Sequence, residues 1–208
     1  MIGAVKAGRL QIKQSYLQLP LLLRSSNSLH SMKSEIAAIR LNYSKKILLE
    51  TDADDDPVKQ FDKWWQEAML SEIKEVNAMT LATASPDGIP SARIVLLKDF
   101  SEKGFMFFTN YESFKAQQLD NNPKACLVFF WKELERQVRI TGLVQKVPPG
   151  ESDAYFQSRP EESRIGAVTS PQSRVIENRE WIDARYEKNR ELLSGKPVKR
   201  PDYWGGYI

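Results

Sequence analysis

Between Ala78 and Val147 the chain runs through five short apolar segments of strand character, with only one helix-length spacer among them. The segments are AMTLATA, SARIVLLKDF, FMFFTN, KACLVFFW and RQVRITGLVQKV. SPDG separates the first two, with Gly88 available for positive φ, and SEKG separates the second from the third. This punctuation predicts a meander of short antiparallel strands. ESFKAQQLDNNP predicts a short helix closed by Asn121, Asn122 and Pro123. Five strands interrupted by one helix point to a closed or nearly closed barrel rather than a βαβ fold. Neither common glycine-rich nucleotide loop is present. The expected class is mainly β with flanking helices.

The flanks supply the helices. In TDADDDP, Thr51 to Pro57, Asp56 suits a cap and Pro57 the first helical position. The surrounding acidic residues complement the positive end of the helix dipole. Val58, Phe61, Trp65, Ala68 and Met69 recur at helical spacing and predict an amphipathic helix over about 57–75. After VPPG, ESDAYFQSRP predicts a short helix stopped by Pro160, SRIGAVTSPQS a loop-rich connection, and SRVIENREWIDARYEKNRELLSG a long charged helix. KPVKRPDYWGGYI reads as the approach to a further strand whose edge is begun and not completed, normally a liability. The organisation expected is a flexible N-terminal extension over 1–34, an N-terminal segment and acidic linker over 35–56, and a barrel domain over 57–208 that is incomplete at its C-terminal end.

Composition narrows the function. The 208 residues are 41% hydrophobic, enough for a sizeable core. Thirty basic residues against 27 acidic ones leave a net charge of +3, too little to argue for nucleic acid or an acidic membrane. Cys126, in KACLVFFW, reads as a core residue, and as the lone cysteine it rules out an intrachain disulfide and argues against a cysteine zinc site. His30 is the lone histidine and lies in a polar segment, which argues against a histidine-based centre. No apolar run is long enough to span a bilayer. Residues 1–34 carry Lys6, Arg9, Lys13, Arg24 and Lys33, clustered serines and no acid, the composition of an organellar transit peptide. The simpler reading takes Met32 as the natural start. The location expected is the cytoplasm, or the mitochondrion if residues 1–31 are a transit peptide.

Polar groups recur beside the strands. Arg93, Lys98, Thr109, Lys115, Gln137 and Arg139 all flank apolar segments. Cations beside hydroxyls and backbone amides are what a phosphate needs, because charge-assisted hydrogen bonds are the strong ones and arginine binds in a fork. Tyr155 and Arg159 are four apart on a helical face, and with Ser163 they offer a second anion site. Solvated strand-end cations and ordinary Tyr–Arg stacking are the competing readings. Alternation also raises a difficulty. Arg93 and Lys98 bracket the aliphatic run Ile94–Leu97, which reads as a buried strand, and a separation of five puts the two cations on opposite faces. They reach one ligand together only if the strand bulges or ends near Lys98.

RIVLLK, FFTN with ESFKA, NNPKACLVFFW, ERQVRITG, YFQSRPEESRIGAVTSPQS and RPDYWGGY occur in this order and spacing. Together they resemble the pyridoxine (pyridoxamine) 5′-phosphate oxidase family, from about Ile36 to the last residue. The resemblance implies a split barrel of antiparallel strands that binds FMN, and a homodimer with FMN at its interface. It implies oxidation of pyridoxine or pyridoxamine 5′-phosphate to pyridoxal 5′-phosphate, with O2 reoxidising the flavin. By position it assigns Arg93, Ile94, Val95, Leu96, Leu97 and Lys98 to FMN. Phe108, Thr109, Lys115, Gln137, Gln172, Ser173 and Trp204 join them. Lys98, Tyr155, Arg159 and Ser163 are assigned to the substrate phosphate, and Arg40 and Tyr43 to a segment that folds over the substrate. Hydride transfer to a flavin requires no catalytic histidine or cysteine.

Two departures accompany the resemblance. Phe114 stands where the family often has arginine beside the lysine, so one phosphate contact is lost or replaced. The family also continues past WGGY with an Arg-Leu-His motif. The expectation is therefore a fragment or truncated product that binds FMN poorly and turns over little. The alternatives are another split-barrel flavoprotein and a non-enzymatic FMN- or pyridoxal-phosphate-binding protein.

Overall fold

The computed structural model describes residues 36–39 and 48–208. The chain divides into two units, Met1–Ile47 and Leu48–Ile208. In the first, residues 36–38 make one helical turn, with the Ile39 N–H donating to the Ile36 carbonyl at 3.2 Å. Arg40 and Tyr43 lie outside the described residues.

The second unit opens with a 3-10 turn, Glu50–Asp52, and helix α1, Pro57–Met69. The Asp56 carboxylate accepts from the Val58 and Lys59 amides, and Pro57 fills the first turn. The helix buries Phe61 and Ala68 but stops at Met69, short of the expected 75. Ser71 explains the stop. Its hydroxyl donates to the Ala68 carbonyl at 2.6 Å and accepts from the Ile73 amide at 3.2 Å, offering the backbone an alternative to another turn.

The strands are β1 Ala78–Ala84, β2 Pro90–Leu96, β3 Asp99–Ser101, β4 Gly104–Asn110, β5 Lys124–Trp131, β6 Arg136–Leu143 and β7 Trp204–Tyr207. All pairings are antiparallel, in two sheets ordered β2-β1-β5-β6 and β3-β4-β7. Both sheets feed one core, in which Phe61 meets the edges of Phe100 and Phe105 at 4.9 Å. Trp131, fully buried, satisfies its indole N–H on the Val76 carbonyl at 3.0 Å.

SARIVLLKDF is two strands, not one. The Leu97 amide donates to Asn77 beside β1, whereas the Lys98 amide donates to Met106 of β4, both at 2.8 Å. The chain therefore crosses between sheets at this dipeptide, as strands do at barrel corners. The strand ends next to Lys98, one of the two ways the alternation difficulty can be met. The aliphatic run is also only half buried: Val95 and Leu97 point into the core at 9% and 4% exposure, while Ile94 and Leu96 face outward at 65% and 37%.

Helix α2, Phe114–Asn121, bridges β4 and β5. Beyond β6 come α3 Pro149–Ser158, α4 Glu161–Thr169 and α5 Arg179–Leu193. The segment SRIGAVT, expected as loop, belongs to α4. Pro160 precedes its first turn and Glu161 and Glu162 fill it, which is favourable helix-start chemistry. The long charged helix begins later than expected, because Asn178 caps it by accepting from the Trp181 amide at 2.7 Å. Phe156, Ile165, Val198 and Trp204 form a second small core.

β7 is buried at all four positions and pairs with β4. Its other side is met by Val147, whose amide donates to Gly206, and by Gln145, which exchanges both bonds with Ile208. The incomplete edge expected from the sequence is thus paired on both sides. A Cβ at Gly205 would run into the Tyr111 hydroxyl, and one at Gly206 would lie 2.6 Å from Val147. Cys126 is partly exposed on the outer face of β5 rather than in the core. Among the described residues no helix is long and apolar enough to cross a membrane.

Candidate functional site

A cavity of about 470 Å³ lies where the β2–β3 crossing, the end of β4, the start of α2 and the α3–α4 corner come together. Its floor is the Ile94–Leu96 stretch of β2, and Phe108 and Trp204 give it aromatic walls.

One end is built by β4 and α2. The Lys115 ammonium, on a side chain only 8% exposed, donates to the Thr109 hydroxyl at 3.1 Å and to Ser113 at 3.3 Å. Thr109 passes its own proton to the Gln172 amide oxygen at 3.2 Å, and the Asn110 amide donates to the same oxygen at 3.3 Å. Burial lowers the Lys115 pKa to about 8, and the nearby charge of Arg93 adds to the effect. Arg93 lies on the inner face of β2, behind the cavity wall. Its guanidinium donates to the Leu81 and Ser91 carbonyls, to Thr83 at 2.6 Å and to the Gln118 amide oxygen at 3.3 Å.

The other end is built by the α3–α4 corner. Arg159 places its guanidinium 4.7 Å from the Trp204 ring centre and 5.7 Å from that of Phe156. Its Nη1 is buried without a hydrogen-bond partner among the described residues, and burial lowers its pKa. Tyr155 stacks on Phe108 at 3.9 Å between centroids, and the Lys98 ammonium sits 5.9 Å from the Tyr155 ring centre. Ser163 completes this end of the lining. Among the described residues, no carboxylate forms an ion pair with Arg93, Lys98, Lys115 or Arg159. Lys98 is exposed, but Lys115 is buried and Arg93 and Arg159 are partly so, and such cations without counter-charge are costly unless an anion completes them.

A model of the pyridoxamine 5′-phosphate oxidase family matches residues 65–192. Curated relatives named pyridoxine/pyridoxamine 5′-phosphate oxidase are 54% identical over 174 residues in Paraburkholderia phymatum and 50% identical over 175 residues in Trichormus variabilis. Each alignment covers 84% of this chain and 82% of the relative. This chain belongs to the pyridoxamine 5′-phosphate oxidase family. Among solved structures, PhzG from Burkholderia lata, in complex with tetrahydrophenazine-1-carboxylic acid, superimposes with a TM-score of 0.74 at 26% identity, covering 79% of this chain and 82% of its own. A pyridoxamine 5′-phosphate oxidase-related, FMN binding protein from Nostoc punctiforme gives a TM-score of 0.60 at 18% identity, covering 74% of this chain and 81% of its own. The fold is accordingly the antiparallel split barrel of these oxidases, with helices at its flanks.

Of the residues singled out from the sequence, the cavity gathers Ile94, Val95, Leu96, Lys98, Phe108, Thr109 and Lys115. It also gathers Tyr155, Arg159, Ser163, Gln172 and Trp204. Leu97 is in the core and Arg93 is behind the wall, so Arg93 and Lys98 do not share this lining. Ser173 is exposed and holds a left-handed backbone, φ 65°. Gln137 is exposed on the outer face of β6, paired opposite Phe130, which is 62% exposed. Asn110, Ser113 and Pro160 escaped the sequence reading, as did Thr83 and Gln118. Ser113 had a visible signal, a serine at the start of the expected helix, and the observed helix begins directly after it at Phe114. Thr83 and Gln118 had none, since each becomes polar machinery only through a partner distant in sequence.

Proposed function

We propose that this chain oxidises pyridoxine 5′-phosphate or pyridoxamine 5′-phosphate to pyridoxal 5′-phosphate, with FMN as cofactor and O2 as final acceptor. The observation that carries this reading is a single cavity with two cationic ends, neither paired with a carboxylate among the described residues, joined by aromatic and aliphatic walls. Two phosphorylated molecules lying side by side match that layout. The family's name supplies the substrate class, and the Nostoc relative's description supplies a flavin.

In this reading Lys115, Thr109 and Ser113 hold the FMN phosphate, with Arg93 behind them. The β2 backbone at Ile94–Leu96 lies along the flavin, Gln172 fixes Thr109, and Ser173 lies beside this end. Lys98, Tyr155, Arg159 and Ser163 hold the substrate phosphate, while Phe108 and Trp204 flank the reacting carbon with aromatic faces. Arg40 and Tyr43, assigned to the substrate by the resemblance, lie outside the described residues. A bound FMN would supply the two-electron redox chemistry, with O2 as the final acceptor and hydrogen peroxide as its product. With the amine substrate, water supplies the aldehyde oxygen and ammonia leaves. The protein's share is orientation and charge, as expected where a cofactor carries the chemistry.

A homodimer is part of the same proposal. Ile94 and Leu96 line the cavity and also belong to an outward sheet face that includes Phe130 and Gln137. A second copy on that face would cover apolar surface and bring Gln137 to the neighbouring cavity. The test is direct. The purified chain with added FMN should show bound-flavin absorbance, bleach anaerobically with pyridoxine 5′-phosphate, and form pyridoxal 5′-phosphate in air. Flavin that binds but is not bleached would leave a binding protein, and no binding at all would remove the reading.

A further inference from the structure

Among the described residues, Arg93 is tethered by neutral groups alone. Thr83 and Gln118 are each only 4% exposed, and both are polar. The Thr83 hydroxyl accepts from the Arg93 guanidinium at 2.6 Å and donates to the Gln118 amide oxygen, also at 2.6 Å. That oxygen takes a second bond from Arg93 at 3.3 Å, while the Gln118 amide nitrogen donates to the Ser91 hydroxyl at 3.3 Å. Every donor and acceptor in this loop points consistently. Two buried side chains from different elements, β1 and α2, fix one guanidinium on a third, β2.

A buried arginine is most often steadied by a carboxylate, which also cancels its charge. Gln118 has the shape of glutamate and none of its charge. Lys115 lies one helical turn before Gln118 on α2, so a carboxylate at 118 would also compete for the charge of Lys115. We propose that Gln118, supported by Thr83, is a positioning residue that orients Arg93 while leaving its charge free for the phosphate bound at the Lys115 end of the cavity. Its neutrality, not only its hydrogen bonding, is what selects a phosphorylated flavin over the same flavin without phosphate. The inference rests on the reading that this end takes the FMN phosphate.

The experiment compares the dissociation constants of FMN and riboflavin, by flavin fluorescence, in the wild type, Gln118→Glu and Thr83→Val, with melting temperatures alongside. The wild type is expected to prefer FMN strongly. Gln118→Glu keeps the side-chain shape and gives Arg93 a salt bridge, so the protein should melt no earlier, yet FMN should bind about tenfold more weakly or worse. Riboflavin binding should be unchanged. Thr83→Val removes the acceptor at constant volume and should reduce the FMN preference by about threefold to tenfold. A merely structural role would weaken both flavins together. A wild-type preference that survives Gln118→Glu intact would overturn the inference and leave the flavin-phosphate reading standing. A wild type with no preference would overturn both. If Gln118→Glu does not fold, Thr83→Val decides by the same ratio.

Discussion

The two ends of the cavity reach a similar charge by different construction. At the Lys115 end the cations donate to neutral oxygens of Thr109, Ser113, Thr83 and Gln118 at 2.6 to 3.3 Å. At the Arg159 end the guanidinium rests on rings, and one of its buried nitrogens has no partner among the described residues. Hydrogen-bonded networks fix a geometry, whereas an aromatic face fixes a plane and tolerates sliding. The first construction suits a ligand that stays, the second a ligand that arrives and leaves with its phosphate supplying the missing bonds. A resident cofactor and a visiting substrate would divide the cavity in this way.

The comparison breaks most visibly at Arg93. Arg93→Ala should weaken FMN binding by about a hundredfold, ~3 kcal/mol, because it removes a charged donor and leaves Thr83 and Gln118 buried without it. At saturating FMN, the KM for pyridoxine 5′-phosphate should move by less than about threefold. Arg159→Ala should do the reverse, raising that KM about ten- to thirtyfold with FMN affinity within about threefold of wild type. Fluorescence titration and steady-state kinetics separate the two, and the opposite pattern would exchange the assignments.

A pH series sharpens the contrast. Lys115, with a pKa of about 8 in the free protein, is charged below that value and ready for a phosphate. A bound phosphate raises the Lys115 pKa, so above pH 8 binding must take up a proton, and the FMN dissociation constant should climb by up to about tenfold per pH unit. Lys115→Arg should flatten the climb. Arg159 remains charged throughout this window, so the substrate's KM should show no matching rise from that end. The smallest effect expected is a gain. Phe114, 53% exposed beside Lys115, brings no charge, and Phe114→Arg should tighten FMN about threefold, a modest amount because solvent screens an exposed cation.

Much of this was written locally. Gly88 and the SEKG turn mark the strand boundaries, and the cations beside apolar segments mark both ends of the cavity. What escaped was decided at long range. Nothing in the run Ile94–Leu97 says that Leu97 bonds to Asn77 and Lys98 to Met106, so one strand was read where two exist. The same run looked like core because all four residues are aliphatic, yet the pleat turns two of them outward. The partnership of Arg93 with Gln118 spans 25 residues and depends on α2 returning over β1. The α4 helix is a different lesson: Pro160, Glu161 and Glu162 announced it, and the following Gly166 and the Ser-Pro pair masked it.

The crossing at Leu97 and Lys98 also sets what length changes the protein can absorb. Turns such as SPDG can gain or lose residues at the surface with little effect on what they connect. A single insertion between Arg93 and Lys98 cannot be absorbed in that way. It would carry Leu97 into the place where the cavity needs Lys98 and push Lys98 one position into β3, while shifting the amide that bonds Met106. Drift along this lineage should therefore change the identities of Ile94 and Leu96 far more readily than the number of residues between those two cations.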